Sequence, residues 1–255
     1  MNALRSRPLV LMYHAVGERG AQEDPFCLFV PQDRLYEQLA SLLARGWTPL
    51  TLDAYLHGVL PPRSLLVTFD DGYQAMLDEG LPVLRELRMP ATVFVLGGLL
   101  GGRSRWMPEM PDEPLLDAEG VRELAGAGLD VECHGWEHST LSKASPEALA
   151  RNTTQAARAL TDLTGRRPRA FAYPYGDHDA RARRAVAEAG FEIAFSTYHA
   201  EGRYATPRVA VSPTDTSATF RLKVLPTYPV MRRISGHVPK LRPALHSLIG
   251  RAPRS

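Results

Sequence analysis

The sequence predicts an α/β fold in which parallel strands alternate with helices. Short apolar runs typical of buried strands recur along the chain, and stretches with apolar residues at helical spacing separate most of them. No internal repeat or low-complexity segment interrupts this alternation. Because parallel neighbours need crossover connections, the pattern indicates a single sheet covered by helices. The pattern does not distinguish an open sheet from a closed barrel.

Each predicted strand contains a short apolar run. The strands lie at residues 9–16, 47–52, 64–69, 91–96, 129–133, 169–173, 191–197 and 206–211. The predicted helices share an apolar face and cover residues 31–44, 53–59, 73–88, 117–127, 146–164 and 179–189. Ser145 is predicted to cap the fifth of these helices, and Gly190 to end the last. Residues 101–114, rich in Gly, Pro and Met, are predicted to form an ordered loop over the site.

Two adjacent carboxylates, Asp70 and Asp71, stand where the strand at 64–69 ends and the next helix begins. Gly72 frees the backbone to turn at this point. Catalytic groups of α/β folds usually lie at such strand ends. For this motif alone, a turn that merely caps a helix remains an equal interpretation.

A histidine pair, His134 and His138, follows the strand at 129–133. On a helical turn, positions i and i+4 share a face, so both imidazoles could reach one ion. Together with one carboxylate they would make a three-ligand metal site with open positions, which suits the activation of water. Cys133 is interpreted as a small buried residue rather than a ligand. Histidine pairs with this spacing are common on ordinary helices. The metal site is therefore predicted from the histidine pair and the two carboxylates together, since both motifs lie at strand ends.

A third motif at residues 169–177 is a short apolar strand that runs into a Pro/Gly turn. Thr-Phe-Asp-Asp-Gly at 68–72, His-x-x-x-His-Ser-Thr-Leu at 134–141 and Phe-Ala-Tyr-Pro-Tyr-Gly at 171–176 occur in this order. Together they resemble the polysaccharide deacetylases of carbohydrate esterase family four, over about residues 8–212. Val-Leu-Met-Tyr-His at 10–14 is similar to the branch whose third motif reads Tyr-Pro-Tyr-Gly.

The resemblance implies a distorted (β/α) barrel of about seven parallel strands, with all three motifs at their carboxyl ends. It implies that Asp71, His134 and His138 bind a metal ion, and that Asp70 is the general base acting on water activated by that ion. The expected ion is Zn²⁺, with Co²⁺, Ni²⁺ or Fe²⁺ as alternatives. The backbone N–H of Tyr175 is implied to hold the oxyanion.

Two roles depart from the family pattern. The general acid is assigned to His14, which ends the first predicted strand, ahead of the other candidates His199, His178 and His237. The arginine that orients the base in the family is replaced by Ala172. We therefore assign that role to Arg169, with Arg208, or no partner at all, as alternatives.

Substrate contacts are predicted for Trp106 in the loop at 101–114, where an aromatic ring could stack on a sugar. Tyr73, Tyr173 and Pro174, which belong to the first and third motifs or follow them directly, are assigned the same role. A solvent-exposed connector is the alternative interpretation of the loop.

The formal net charge of +2 is unevenly distributed along the 255 residues. No acidic residue follows Asp215 but eight basic ones do, so residues 1–215 carry −6 and residues 216–255 carry +8. We therefore predict a catalytic domain over 1–215 and a basic extension over 216–255. Its basic and apolar residues suit an anionic membrane surface, at roughly 1 kcal/mol per basic residue. A packed or disordered extension is the alternative, and no nucleic-acid partner is predicted because no recognised motif accompanies the charge.

The first apolar run is too short for a signal-peptide core or a membrane span, and the chain has two cysteines. We therefore predict a cytoplasmic protein, with peripheral contact at the inner membrane face. The predicted activity is removal of an N-acyl group, most simply N-acetyl, from an amino sugar in a glycan or a lipid-linked precursor. The alternatives are an amidase acting on a non-sugar C–N bond and a catalytically silent carbohydrate-binding relative.

Overall fold

The structure, a computed structural model, describes residues 8–58, 60–197 and 201–225, together with residue 228. The strands are β1 (Leu9–Tyr13), β2 (Ala15–Val16), β3 (Phe29–Val30), β4 (Thr48–Pro49), β5 (Ser64–Phe69), β6 (Thr92–Val95), β7 (Asp130–Cys133), β8 (Ala170–Ala172), β9 (Ile193–Phe195) and β10 (Val209–Ala210). The α-helices are α1 (Gln32–Ala44), α2 (Leu52–His57), α3 (Leu81–Glu86), α4 (Ala118–Gly126), α5 (Pro146–Ala150), α6 (Ala156–Thr164), α7 (Ala180–Glu188) and α8 (Ser217–Lys223).

The main sheet is parallel throughout and has the order β10-β1-β5-β6-β7-β8-β9, with β4 beside the start of β5. The chain between β9 and β10 connects the two edges of this sheet. Thr206 bridges Phe195 at the end of β9, and β10 then pairs with β1. The sheet therefore curls into the distorted (β/α) barrel that the family resemblance implied.

Alternate side chains of the strands pack into two separate apolar layers. The inner layer fills the barrel with residues such as Val10, Leu66 and Phe94. The outer, larger layer lies between the strands and the helices and includes Leu11 and Val67, their neighbours in sequence. Strands buried on both faces explain why the predicted strands read as continuous apolar runs. The carboxyl ends of the strands form one rim of the barrel, and the three motifs follow β5, β7 and β8 there.

The helix predicted at 73–88 begins later than expected. Tyr73 bridges Leu115, and the Gln74 N–H donates to the Pro114 carbonyl, so these residues pair with the loop at 101–115 instead of entering the helix. A wide π-helical turn, Met76–Gly80, then leads into α3. A second wide turn, Arg151–Gln155, joins α5 to α6 where one regular helix was predicted. The Ser145 hydroxyl caps α5 as predicted, accepting from the Ala148 N–H.

The start of the predicted basic extension packs on the barrel. Helix α8 buries Phe220 against the outer apolar layer. The Lys223 ammonium lies 2.6 Å from the Asp215 carboxylate and donates to the Ala210 carbonyl in β10. Most of the extension lies outside the described residues, so the division at Asp215 stays a prediction. None of the helices in the described part of the chain combines the length and the hydropathy needed to cross a bilayer.

Candidate metal centre

Asp71, His134 and His138 converge at the rim of the barrel, and all three are buried. The Asp71 Oδ1 atom lies 3.1 Å from the Nε2 atom of each histidine, and the three ligand atoms lie within 4.8 Å of one another. Among the residues that the structure describes, none donates a hydrogen bond to this Oδ1 atom, although it is completely buried. Ligands bonded to one ion at about 2.0–2.1 Å are themselves about 3 Å apart. The donor set and its spacing therefore fit a divalent metal ion.

The electrostatics of this cluster keep the carboxylate ionised. Burial opposes the charge of Asp71, but the attraction of His138 and the close approach of both imidazoles outweigh it and hold the Asp71 pKa well below its usual value. Burial also lowers the pKa of His138, whereas at His134 burial is outweighed by Asp71 and Asp70 and the pKa is raised, so metal binding would release a proton there. An ionised carboxylate and a neutral imidazole are the forms that bind a metal. Burial raises the pKa of Cys133 to about 12, which agrees with its interpretation as a buried thiol outside the ligand set.

The backbone around the ligands is bent rather than helical. Asp71 and His138 adopt left-handed conformations with φ of 72° and 56°, as does Tyr175 with φ of 57°. Each such residue costs on the order of 1–3 kcal/mol and persists only where its surroundings impose it. The helical turn predicted for the histidine pair is therefore wrong: residues 134–138 form an irregular loop. Gly135, with φ of +96°, lets that loop bring both imidazoles to one point.

Each histidine is held in place by its neighbours. The Nδ1 atom of His134 lies 2.8 Å from the Ala172 carbonyl, so donation there leaves the Nε2 lone pair facing the Asp71 carboxylate. The His138 ring stacks on Trp106, with ring centroids 4.4 Å apart, and meets the edge of Tyr175 at 4.5 Å. A backbone carbonyl therefore orients the imidazole of His134, whereas aromatic rings orient that of His138.

Asn152 holds the histidine loop from below. This residue is completely buried in the wide turn between α5 and α6. Its Oδ1 atom accepts from the Trp136 N–H at 2.9 Å, and its Nδ2 atom donates to the Ser139 hydroxyl at 3.2 Å and to the Ala148 carbonyl at 2.9 Å. A Cβ atom at position 135 would lie only 2.9 Å from the same Oδ1 atom, so a residue with a side chain at this position would collide with the Asn152 amide. Sequence motifs gave no signal for this residue.

Replacing Asn152 by Leu is expected to weaken zinc binding by about 10- to 100-fold, the usual effect of losing a residue that orients metal ligands. Competition with a chromogenic chelator would measure the Kd. Thr153→Val is the matched control, because within the described residues its buried hydroxyl bonds only to the Leu149 carbonyl of α5. Equal zinc affinity in the two variants would show that Asn152 does not support the site.

Asp70 lies beside the ligand cluster and pairs with Arg208. The two guanidinium nitrogens lie 2.7 and 2.6 Å from the two carboxylate oxygens, and both side chains are buried. Burial raises the Asp70 pKa, but the Arg208 charge, then that of His134, and the hydrogen bonds from Arg208 outweigh it, so the pKa is lowered. The guanidinium is itself fixed by Thr68 and by the carbonyl of Ser196. Asp70 is therefore an ionised carboxylate at neutral pH.

Arg169 does not occupy the place predicted for it. It precedes β8, at the opposite end of that strand from the Pro/Gly turn of the third motif, and its guanidinium lies 2.8 Å from the exposed Asp53 carboxylate. The partner of Asp70 is instead Arg208, which the sequence analysis gave as the alternative to Arg169. Arg208 lies in the segment that joins the two edges of the sheet, and from there its side chain reaches into the barrel.

Of the histidines proposed as general acid, His14 lies at the rim. It directly follows β1, is partly buried, and its charge contributes to lowering the pKa of both Asp70 and Asp71. His178 packs against Tyr173 and lies 3.0 Å from an Arg183 nitrogen. His199 and His237 lie outside the described residues. The assignment to His14 stays a prediction.

Of the residues predicted to contact substrate, three are buried and one is partly exposed. Tyr73 and Tyr173 are each 1% exposed, and Pro174 is buried, so these three pack beneath the site. Trp106 is half-buried and covers one face of the His138 ring. Tyr175 is 48% exposed, and its hydroxyl donates to the Trp106 carbonyl at 3.4 Å. The substrate roles stay predictions, and Trp106 and Tyr175 offer the accessible aromatic surface.

Comparison with known proteins places this site in a family. The family model described as "Polysaccharide deacetylase" matches residues 57–194. A Staphylococcus aureus poly-beta-1,6-N-acetyl-D-glucosamine N-deacetylase is 24% identical over 201 residues, which cover 72% of this chain and 68% of the relative.

Solved structures share the fold. IcaB from Ammonifex degensii superposes with a TM-score of 0.71 at 24% identity, covering 88% of this chain and 97% of the other. The Streptococcus pyogenes deacetylase PplD, in complex with acetate, also gives a TM-score of 0.71, at 21% identity, covering 88% of this chain and 96% of the other.

Proposed function

Because this chain belongs to the polysaccharide deacetylase family, we propose that it is a metal-dependent hydrolase that removes N-acetyl groups from amino sugars in a glycan. The observation that carries the proposal is the pairing of two sites at one rim. The ligand cluster of Asp71, His134 and His138 fits a metal ion, and a carboxylate adjacent in sequence, Asp70, is ionised and held by Arg208. A silent carbohydrate-binding relative would not need both.

A divalent ion bound by the cluster supplies a Lewis acid for the amide carbonyl and lowers the pKa of water. Asp70 accepts the proton of the attacking water, because its carboxylate is ionised and its orientation is fixed by the two-point contact with Arg208. The backbone N–H of Tyr175 donates to the developing oxyanion. His14, protonated, donates its proton to the amine nitrogen as the C–N bond breaks. Acetate and a free amino sugar are the products.

The substrate class is inferred from the relatives and from the exposed aromatic surface. The S. aureus relative is named for an N-acetylglucosamine polymer, and PplD was solved with acetate. The accessible rings of Trp106 and Tyr175 border His138, where they could pack on a sugar next to the ligand cluster. A glycan or a lipid-linked precursor that carries N-acetylated amino sugars is therefore the proposed substrate.

Acetate release tests the proposal directly. We expect the purified protein to release acetate from N-acetylglucosamine oligomers, to lose this activity with a chelator, and to regain it with an added metal ion. Parallel additions of Zn²⁺, Co²⁺, Ni²⁺ and Fe²⁺ would identify the effective ion, for which we propose Zn²⁺. Cleavage of p-nitroacetanilide with no activity on any oligomer would favour the non-sugar amidase. Glycan binding without hydrolysis of either would favour the silent relative.

Location and membrane contact are proposed from the sequence alone. We propose a cytoplasmic protein whose catalytic domain covers residues 1–215 and whose basic extension, residues 216–255, contacts the anionic inner membrane face. At roughly 1 kcal/mol per basic residue, the six that follow Tyr228 are enough for measurable binding.

A chain ending after Tyr228 keeps α8 on the barrel and removes those six basic residues. We expect it to float with phosphatidylglycerol-containing vesicles at least about tenfold less than the full chain. Neither chain should float with purely zwitterionic vesicles. Equal flotation of the two chains on anionic vesicles would remove the proposed role of the extension.

A further inference from the structure

Two loops meet beside His138 at the rim of the barrel, and each carries part of the proposed reaction centre. The first, residues 134–145, follows β7 and contains both histidine ligands. The second, the turn Pro174–Gly176, follows β8 and contains Tyr175, whose ring centroid lies 4.5 Å from that of His138. The backbone pairing of β7 with β8 does not extend into these loops. Other contacts must therefore fix the position of one loop relative to the other.

The turn that carries Tyr175 is closely fitted on the side that faces β9. Tyr175 has a φ of 57°, an unfavourable conformation that persists only where its surroundings impose it. A Cβ atom at Gly176 would overlap the Thr197 hydroxyl and lie 3.0 Å from the Thr197 backbone nitrogen. The chain beyond β9 therefore blocks movement of the turn in that direction, and the direction of the Tyr175 N–H depends on what holds the opposite side.

Asp177 holds the turn on the side that faces β7. Its backbone N–H donates to the Pro174 carbonyl at 3.0 Å, which closes the turn around Tyr175. Its partly buried carboxylate extends to the other loop, where Oδ2 accepts from the Ser142 N–H at 2.9 Å. Arg181, in the helix that follows, donates to the Ser142 carbonyl at 2.8 Å. One peptide segment of the histidine loop is thus bound through both its N–H and its C=O.

These contacts suggest a role that rests on the proposed function, in which the Tyr175 N–H donates to the oxyanion. We propose that Asp177 is a positioning residue for this reaction. Through its bond to Ser142, Asp177 fixes the Tyr175 N–H relative to the metal ligands. An oxyanion donor acts only within about 2.7–3.1 Å of the oxygen, and a displacement of about 1 Å can cost about 100-fold in rate.

Replacing Asp177 by Ala in the full chain is expected to lower kcat for acetate release by about 10- to 100-fold. The KM and the metal content per chain should stay near their native values, because the oxyanion forms only in the transition state and the metal ligands are untouched. Asp177→Asn keeps a side-chain oxygen that can accept from the Ser142 N–H, so we expect it to recover most of the native kcat. Asp177→Ser, whose hydroxyl is too short to make this bond, replaces the alanine variant if that variant does not fold.

Asp130→Ala is the matched control. The Asp130 carboxylate also accepts a single 2.9 Å hydrogen bond from a distant backbone N–H, that of Leu52, and it is also partly buried. Because Asp130 begins β7, this bond lies at the opposite end of the barrel from the metal centre. We expect Asp130→Ala to keep the native kcat while its urea midpoint falls about as far as that of Asp177→Ala.

The possible results separate the positioning role from the alternatives. If kcat of Asp177→Ala stayed at the native value or fell no further than that of Asp130→Ala, Asp177 would have a structural role only. An Asn variant as slow as the Ala variant would also overturn the proposal, as would loss of the metal from Asp177→Ala, since the residue would then act through the ligands. Absence of acetate release by the native protein would instead remove the proposed function and this role with it.

Discussion

Replacing Asp70 by Asn is expected to lower kcat/KM for acetate release by about 10²- to 10⁴-fold, the usual contribution of a general base. The amide has nearly the size of the carboxylate, but it cannot accept a proton from water. One amide oxygen can still accept from Arg208, so the barrel around the site is preserved. Because Asp70 is outside the ligand cluster, the bound metal should remain.

Two measurements separate this role from metal binding. Metal content per chain should be equal in the native protein and in Asp70→Asn. Asp71→Asn is the matched control, one residue further along, and should lose both the metal and the activity because it removes the charge of a ligand. If Asp70→Asn kept near-native kcat/KM, or lost its metal, the assignment of Asp70 as base would be wrong.

The metal ligands could be predicted from sequence because they sit beside strand ends. Asp71 directly follows Asp70 after β5, and His134 directly follows β7. In a parallel sheet, the carboxyl ends of all strands meet at one edge, so residues far apart in sequence come together there. The local conformation was less predictable. The spacing of His134 and His138 matches a helical turn, but the structure achieves the same convergence through an irregular loop, Gly135 and a left-handed His138.

The partner of Asp70 shows why some residues could not be ranked from sequence. Arg169 is close in sequence to the third motif, which favoured it. Tyr173, however, lies four residues further along an extended chain, which is about 13 Å along the strand. Arg208 has no motif around it, and its position depends on how the two edges of the sheet meet near Thr206. Asn152 likewise acts through a turn whose irregularity has no sequence signal.

Replacing Arg208 by Met is expected to destabilise the protein by about 3–5 kcal/mol at pH 7, because it leaves the buried Asp70 charge without its partner. The pKa of Asp70 is lowered in the folded chain, with burial opposed by the charge and hydrogen bonds of Arg208. A carboxylate of this kind stabilises the fold above its unfolded pKa of about 3.9, and this stabilisation is lost as the pH falls through the folded pKa. The difference in unfolding free energy between native protein and variant should therefore be largest at neutral pH and shrink in acid.

Arg169→Met provides the comparison, because it removes the same type of side chain from the exposed contact with Asp53. Exposed ion pairs contribute little to stability, so we expect this variant to unfold near the native urea midpoint and to keep its activity. Urea unfolding at pH 7 and at about pH 3, below the unfolded pKa of the carboxylate, together with kcat/KM for acetate release, distinguishes the two arginines. A loss of stability and activity in Arg169→Met, with Arg208→Met unaffected, would return the positioning role to Arg169. If Arg208→Met lost stability and activity, and its loss of unfolding free energy were as large in acid as at pH 7, Arg208 would act through packing against Phe94 and Phe195 rather than through the charge of Asp70.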